Sequence, residues 1–185
     1  MAWIETIHED AASGELAEIY DKIAGARGRL SNIMRVQSLR PEAMTAHLDL
    51  YMALMFGKSG LRRAERELIA TVVSVANDCE YCTRHHAEAL LAYWKDEARL
   101  AQLLADPRLA NLSDRELALV DYALKLTRQP GAVSEEDVSA LRQQGLADRD
   151  VLDANMITGY FNFVNRVAEG LGVEVTDEEV GGYDY

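Results

Sequence analysis

The chain has 185 residues, 49% of them hydrophobic and only 3 of them proline, which excludes the disordered class and leaves enough apolar material for a core. Its formal net charge of -12 argues against nucleic acid as a partner, because binding a phosphate backbone needs a basic face. We predict one domain over residues 1–185.

The amino-terminal residues 1–15 lack the basic flank and the continuous apolar stretch of a signal peptide. No apolar run approaches the roughly 20 residues of a membrane span, so no membrane association is expected. We therefore expect a cytoplasmic protein. Reducing conditions there disfavour a permanent disulfide, so the chain's 2 cysteines are expected to be catalytic, redox-sensing or metal-binding.

Apolar residues recur at helical spacing along almost the whole chain, and no segment shows the alternation of a half-buried strand. This periodicity predicts an all-α fold. The first helix is expected from Ser13, a short helix within residues 31–40, and a third helix from Pro41 to about Phe56, where Gly57 ends it.

The third helix carries the candidates for a substrate pocket. His47 and Tyr51, with Met52 and Phe56 nearby, could line such a pocket. The alternative is that these side chains belong to the core, which is the more usual place for Met and aromatic residues at helical spacing.

Both cysteines are expected in the first turns of a helix. Residues 62–76 form a strongly apolar helix that carries Glu67, and the polar pair Asn77–Asp78 interrupts it. With Asn77 as the N-cap, Glu80 falls at the third helical position, which completes a capping-box pattern.

Three further helices follow from start and stop signals. Residues 113–116 and 134–137 both match capping boxes, residues 130–131 mark a turn, and Gly145 ends a short helix. The last long helix is expected over residues 149–169.

The predicted core covers about residues 13–172. The tail, residues 173–185, has no apolar periodicity, so we expect it to be mobile or to contact another subunit. Residues 65–76 also resemble residues 114–126, with Glu67 level with Glu116, which suggests a weak internal repeat.

The stretch from Asn77 to His86, "NDCEYCTRHH", carries the chemistry. At helical spacing Cys79, Cys82 and His86 share one face, so they form a cluster. A helix N-terminus stabilises a thiolate and can lower a cysteine pKa from about 8.5 to between about 3.5 and 7.5.

The residues leave open which sulfur attacks. The helix dipole favours Cys79, whereas His86 lies four residues beyond Cys82 and could take its proton. A carboxylate is needed to orient the imidazole, and Glu67 on the preceding helix is the best candidate.

The spacing from Glu67 through eleven residues to Cys79-x-x-Cys82, and then three residues to His86, matches a family signature. The chain resembles the AhpD-like alkylhydroperoxidases of the carboxymuconolactone decarboxylase superfamily, in its peroxidase-related branch. The resemblance covers nearly the whole chain. It implies a compact helical AhpD-like fold, with Cys82 as the peroxidatic sulfur, Cys79 as the resolving one, and Glu67 with His86 as the proton relay.

The resemblance also implies the substrate and the partners. The expected substrate is an alkyl hydroperoxide or hydrogen peroxide, and the expected reductant is a dithiol on a lipoyl-bearing protein or in a peroxiredoxin-linked system. No cofactor and no metal are required. Family members assemble as homo-oligomers, often trimers or hexamers, so we expect a homo-oligomer.

One position departs from the family. The characterised alkylhydroperoxidases have a further histidine just before the second cysteine, where this chain has Tyr81. His85 is a candidate to substitute for it, so Tyr81 and His85 are secondary site candidates.

Other interpretations of the cysteine pair remain. Haem attachment is excluded, because it needs histidine directly after the second cysteine and position 83 is threonine. A zinc-stabilised interaction module could use the same four side chains, although no second Cys-x-x-Cys pair exists. A thiol redox sensor or adaptor without turnover, and a pair of inert buried cysteines, are the remaining alternatives.

Overall fold

The computed structural model describes residues 2–181, apart from the side chains of residues 26 and 27. Across these residues the chain forms ten α-helices, two short 3-10 helices and no β-strand, so the predicted all-α class is confirmed. The α-helices are α1 (Glu15–Arg27), α2 (Asn32–Arg35), α3 (Pro41–Phe56), α4 (Arg63–Ala76), α5 (Glu80–Trp94), α6 (Glu97–Ala105), α7 (Asp114–Arg128), α8 (Glu135–Gln143), α9 (Asp148–Leu171) and α10 (Asp177–Val180).

Helix α4 lies at the centre, because α5, α7 and α9 all pack against it. Every residue from 65 to 74 is buried. Leu68, Ile69 and Val73 are fully enclosed, and each such apolar side chain stabilises the fold by about 1.5–3 kcal/mol. The charged groups on α4 are therefore fixed inside the core.

Several helix ends follow the predicted signals. Pro41 is the first residue of α3 and Gly57 is its C-cap. Ser113 and Ser134 are the N-caps of α7 and α8. Ser113 accepts a hydrogen bond from the backbone N–H of Glu116, which satisfies a donor that has no partner within the helix.

Other boundaries differ from the predictions. Helix α1 begins at Glu15 rather than Ser13, because Gly14 has a φ of 55° and cannot be helical. The last long helix extends beyond residues 149–169 at both ends. Helix α6 was not predicted, although its N-cap Asp96 accepts a hydrogen bond from the N–H of Arg99 and is a recognisable start signal.

The predicted N-cap role of Asn77 is wrong. Asn77 is the C-cap of α4, and Asp78 follows in the left-handed conformation with a φ of 54°. The N–H of Asp78 donates to the carbonyl of Val75 (3.1 Å) and the N–H of Cys79 to that of Ser74 (3.0 Å), which is the bonding pattern of a Schellman motif. Helix α5 therefore begins at Glu80, and Cys79 is its N-cap.

Segments on both sides of residues 13–172 also pack onto the protein. The N–H of Trp3 donates to the carbonyl of Leu171 (2.8 Å), and the Tyr20 hydroxyl donates to the carbonyl of Ile7 (2.7 Å). Trp3 covers Gly172, where a φ of 59° and a ring that would clash with a Cβ both require glycine.

The carboxy-terminal segment also departs from the prediction of a mobile tail. Residues 177–180 form α10, which packs against α5, and Val173, Glu179 and Val180 are buried. Up to residue 181 the segment therefore packs onto the helices of the same chain, and its expected contact with another subunit remains a prediction. Residues 182–185 of the predicted tail lie outside the described residues.

The proposed internal repeat remains a prediction. Glu116 is the third residue of α7 and accepts the N–H of Ser113, whereas the corresponding residue of α4 is Glu65, which accepts the N–H of Arg62. Glu67 therefore occupies a different turn position from Glu116.

None of the helices in the described part of the chain has the length and apolar character that a membrane span requires.

Candidate active site

The two cysteines are free thiols at the start of α5, and both are buried. Cys82 lines a cavity, while Cys79, with 0% of its surface exposed, lies behind it. Its hydrogen bond with Cys82, followed by burial, raises the pKa of the Cys79 thiol far above its usual range. Cys79 therefore stays protonated in the resting dithiol.

The half-buried His86 and the fully buried Glu67 form a pair near the dithiol. His86 Nδ1 lies 2.7 Å from Glu67 Oε2, and Glu67 is 0% exposed. Arg63 donates to Glu67 Oε1 from Nε (3.0 Å) and Nη2 (2.6 Å). Burial raises the pKa of the Glu67 carboxyl, but His86 and Arg63 together outweigh that effect and lower it.

Because Glu67 is ionised, its oxygen accepts the Nδ1–H of His86. The other ring nitrogen, Nε2, is then left as the basic atom of the neutral imidazole. The edge of the ring packs against Phe161, with centroids 4.4 Å apart, which fixes its orientation. His86 and Cys82 line the same cavity.

That cavity has a volume of about 80 Å³. A cavity of this size has room for several water-sized groups. Apolar side chains from α1, α2, α3, α5 and α9 form much of its wall, among them Ile23, Ile33, Leu48, Ala89, Phe161 and Val164.

The predicted pocket residues His47 and Tyr51 both line this cavity, whereas Met52 and Phe56 do not. Phe56 instead stacks under the guanidinium of Arg63, 3.8 Å from its ring centroid. Phe56 therefore supports the cation that holds Glu67 and does not face the cavity.

His47 belongs to a hydrogen-bonded chain in the cavity wall. Gln37 Nε2 donates to the carbonyl of Ile33 (2.7 Å), and the Nε2 and Oε1 atoms of Gln37 lie 2.7 and 3.1 Å from His47 Nδ1. The other ring nitrogen, Nε2, is hydrogen-bonded to the Tyr160 hydroxyl at 2.6 Å. Burial lowers the pKa of His47 to about 4, so the ring is neutral at pH 7.

The secondary candidates Tyr81 and His85 also line the cavity, but their hydrogen bonds are separate from those of the Glu67–His86 pair. Tyr81 donates its hydroxyl hydrogen to Glu179 (2.6 Å) and stacks on His85, with centroids 4.4 Å apart. His85 Nδ1–H donates to the carbonyl of Tyr81 (2.9 Å), and burial lowers the pKa of His85.

A polar cluster holds the α4–α5 corner in place. The Asn77 side-chain amide donates to Asn162 (3.1 Å) and Asn165 (2.9 Å) on α9. Asn165 in turn donates to the hydroxyl of Ser74 (3.1 Å). These bonds connect the last turn of α4, and so the loop before Cys79, to the longest helix.

Sequence reasoning missed four residues of this site. Arg63 had a usable signal, because it lies four residues before Glu67 on the same helix. Tyr160 and Glu179 had none, since they come from distant parts of the chain, and Gln37, ten residues before His47, belongs to no recognisable motif.

The zinc alternative has no ligand set in the described range. Within residues 2–181, no three His, Cys, Asp or Glu side chains are grouped as metal ligands. Both carboxylate oxygens of Glu67 are already engaged, one with Arg63 and one with His86.

Comparison with known proteins identifies the family. The model of the carboxymuconolactone decarboxylase family matches residues 41–125, which contain Glu67, Cys79, Cys82 and His86. An uncharacterized peroxidase-related protein from Silicibacter sp. TM1040 is 31% identical, with 99% of this chain and 96% of that chain covered and a TM-score of 0.89. The chain is an AhpD-like member of the carboxymuconolactone decarboxylase superfamily.

Two further structures show how widely this AhpD-like fold is used. An alkylhydroperoxidase AhpD core protein from Ralstonia eutropha JMP134 is 29% identical, with 97% of this chain and 94% of that chain covered and a TM-score of 0.87. The debrominase Bmp8, solved in complex with 2,3,4-tribromopyrrole, is 15% identical over 94% of this chain and 92% of its own, with a TM-score of 0.78, and shares the fold alone. No curated protein sequence matches the AhpD-like chain significantly.

Proposed function

We propose that this AhpD-like protein is a thiol peroxidase that reduces hydrogen peroxide or a short alkyl hydroperoxide through Cys82 and Cys79. The observation that carries the proposal is the hydrogen bond between His86 and the fully buried Glu67, on a cavity that Cys82 also lines. A carboxylate-oriented imidazole beside a thiol is the arrangement that activates a cysteine nucleophile.

The cycle begins with proton transfer from Cys82 to Nε2 of His86. The thiolate attacks the outer oxygen of the hydroperoxide, the O–O bond breaks, and the proton from His86 leaves with the alcohol or water. Cys82 is then a sulfenic acid. The Cys79 sulfur then attacks the Cys82 sulfur, the Cys79 proton leaves with the sulfenic hydroxyl as water, and the disulfide forms.

The geometry supports this division of labour between the sulfurs. Cys82 borders the cavity where substrate would bind, whereas Cys79 is fully buried and does not line it. A cavity of about 80 Å³ suits hydrogen peroxide and small hydroperoxides better than bulky ones. Cys79 is therefore suited to resolving and Cys82 to attack.

An external dithiol must then reduce the disulfide by thiol exchange. By family resemblance the donor is a lipoyl-bearing protein or a peroxiredoxin-linked system. Cys82, the sulfur on the cavity, is the one that such a donor could reach.

Stopped-flow peroxide consumption with dihydrolipoamide as the donor tests the proposal. We expect Cys82→Ser to lower the rate by more than about 100-fold, since it removes the nucleophile. Cys79→Ser should still consume one equivalent of peroxide but should not turn over. A Cys82→Ser variant as fast as wild type would refute the assignment.

The same experiment distinguishes a peroxidase from the main alternative function. A redox sensor or adaptor would react with peroxide through Cys82 but would not be recycled by any dithiol. Metal analysis of protein purified without added zinc addresses the zinc-stabilised module, which requires a stoichiometric metal ion.

A further inference from the structure

Glu179 is a buried carboxylate that the proposed cycle does not use. It lies on α10, only 2% of its surface is exposed, and it comes from the far end of the chain. Its Oε1 accepts the backbone N–H of Asn32 (2.7 Å) and its Oε2 accepts the side-chain amide of Asn32 (2.6 Å). A carboxylate so deeply buried is costly unless it is well satisfied, so its position is strongly determined.

The same carboxylate holds the residue between the two cysteines. The Tyr81 hydroxyl donates to Glu179 Oε1 at 2.6 Å and accepts the backbone N–H of Ile33 at 3.2 Å. Its ring is 4% exposed and stacks on His85. The Tyr81 hydroxyl is therefore held by groups on α2 and α10, and its ring is held by His85 on α5.

We propose that Glu179 is a positioning residue that, through Tyr81, holds the first turn of α5 in the dithiol geometry and so makes the Cys79–Cys82 disulfide easier to reduce. This inference rests on the proposed function, because it assumes that the two cysteines form that disulfide. It assigns a role to the tyrosine that replaces the family histidine.

The physical basis is that the first turn of α5 and the hydrogen bond between Tyr81 and Glu179 cannot move independently. In the dithiol the two cysteines are free thiols, so forming the disulfide requires the sulfurs to move to bonding distance. Tyr81 lies between the two cysteines in the chain, and its hydroxyl is hydrogen-bonded to the buried carboxylate of Glu179. A shift of that turn strains or breaks the bond to Glu179, which costs free energy only in the disulfide form.

The test is the equilibrium of the purified protein with dithiothreitol. In this exchange the protein dithiol and oxidised dithiothreitol give the protein disulfide and reduced dithiothreitol, so two electrons and two protons are transferred and the reaction balances. Tyr81→Phe removes only the hydroxyl and keeps the ring in the core. We expect it to shift the equilibrium towards the protein disulfide by about three- to tenfold, where tenfold corresponds to about 30 mV.

Glu179→Gln gives an independent second variant. It keeps an acceptor oxygen for Tyr81 but removes the charge, so we expect a shift in the same direction and of smaller size. Glu178→Gln is the matched control, because the neighbouring Glu178 side chain is exposed, and its equilibrium should equal that of wild type.

The outcomes distinguish this inference from the proposed function. A disulfide that forms normally, with an equilibrium unchanged in Tyr81→Phe and Glu179→Gln, overturns the inference alone. A shift towards the dithiol overturns it as well. A wild-type protein that forms no Cys79–Cys82 disulfide overturns both the inference and the peroxidase cycle.

Discussion

Glu67 determines the chemistry of the site through the charges around it. Its carboxylate is fully buried, and it is kept ionised by Arg63 on one oxygen and His86 on the other. The negative charge in turn fixes which nitrogen of His86 carries a proton. A buried carboxylate on α4 therefore orients the imidazole on α5 as the proposed relay requires.

Removing the negative charge of Glu67 should slow the reaction of the Cys82 thiol with an alkylating reagent. Glu67→Gln keeps the shape of the side chain but stabilises the protonated imidazole less, so His86 becomes a weaker base. We expect alkylation of Cys82 by iodoacetamide at pH 7 to slow by about tenfold, and its rate to rise only at higher pH than in wild type. The control is Glu88→Gln, because Glu88 also lies near the cysteines on α5 but its side chain is exposed. Equal alkylation rates in wild type and Glu67→Gln would contradict the relay.

His47 makes stability depend on pH. Its pKa is about 4 in the folded protein and about 6.5 when unfolded, because burial disfavours the charged ring. Between these values the unfolded chain binds more protons, so the free energy of unfolding falls as the pH falls. The loss should reach about 2 kcal/mol between pH 7.5 and pH 5.

Urea unfolding at those two pH values measures this loss. We expect His47→Gln to remove most of the pH dependence, whereas His8→Gln, at an exposed position, should leave it unchanged. A residual slope of the same sign is expected from His85, whose pKa burial also lowers. An unchanged slope in His47→Gln would show that the ring is not buried in neutral form.

At the scale of elements, helix ends determine where the reactive groups lie. The Schellman turn through Asp78 ends α4 and starts α5 within a few residues, which brings the dithiol next to Glu67 on the neighbouring helix. The Asn77 amide, which the sequence assigned to an N-cap, instead binds α9. The tight link is possible because Asp is one of the few residues besides glycine that tolerate a positive φ.

The capping of α7 can be measured directly. Ser113 accepts the N–H of Glu116, and Glu116 accepts the N–H of Ser113 in return. Ser113→Ala should lower the free energy of unfolding by about 1 kcal/mol, as measured by urea denaturation. Ser13→Ala is the control, because Ser13 is exposed and caps no helix, and it should change stability by less than about 0.5 kcal/mol. Equal losses of stability in Ser113→Ala and Ser13→Ala would contradict the capping role of Ser113.

At the scale of the whole molecule, both ends of the described chain complete the fold. Trp3 bonds to the end of α9, and Glu179 joins α2 to α5. Large apolar side chains nevertheless remain exposed on α3 and α9, among them Phe56, Leu152 and Phe163. The homo-oligomer expected from family resemblance remains a prediction, and these two helices are where subunits could bury apolar surface.

Light scattering tests this expectation. We expect a mass that is a multiple of the 20.6 kDa chain, and a lower mass for Phe163→Glu, which would place a charge in the contact. Leu109→Glu is the matched control, since Leu109 is also exposed, at 62%, but lies outside these helices. A monomeric wild type, or equal masses for both variants, would contradict the prediction.

The sequence by itself determined what depends on neighbours along the chain. Helical periodicity revealed the all-α class, and the spacing of Glu67, Cys79, Cys82 and His86 within twenty residues identified the group that the structure brings together. Capping signals located the starts of α7 and α8 for the same reason, because a cap is a contact between residues three apart.

Only the tertiary structure decided what depends on contacts across the fold. Tyr160 and Glu179 lie 113 residues from His47 and 98 residues from Tyr81, the partners they bind, so no local pattern could pair them. The role of Asn77 and the packing of the tail were missed for the same reason. A side chain's hydrogen-bond partner and its burial are set by whichever helices pack against it, and that packing is a property of the whole chain.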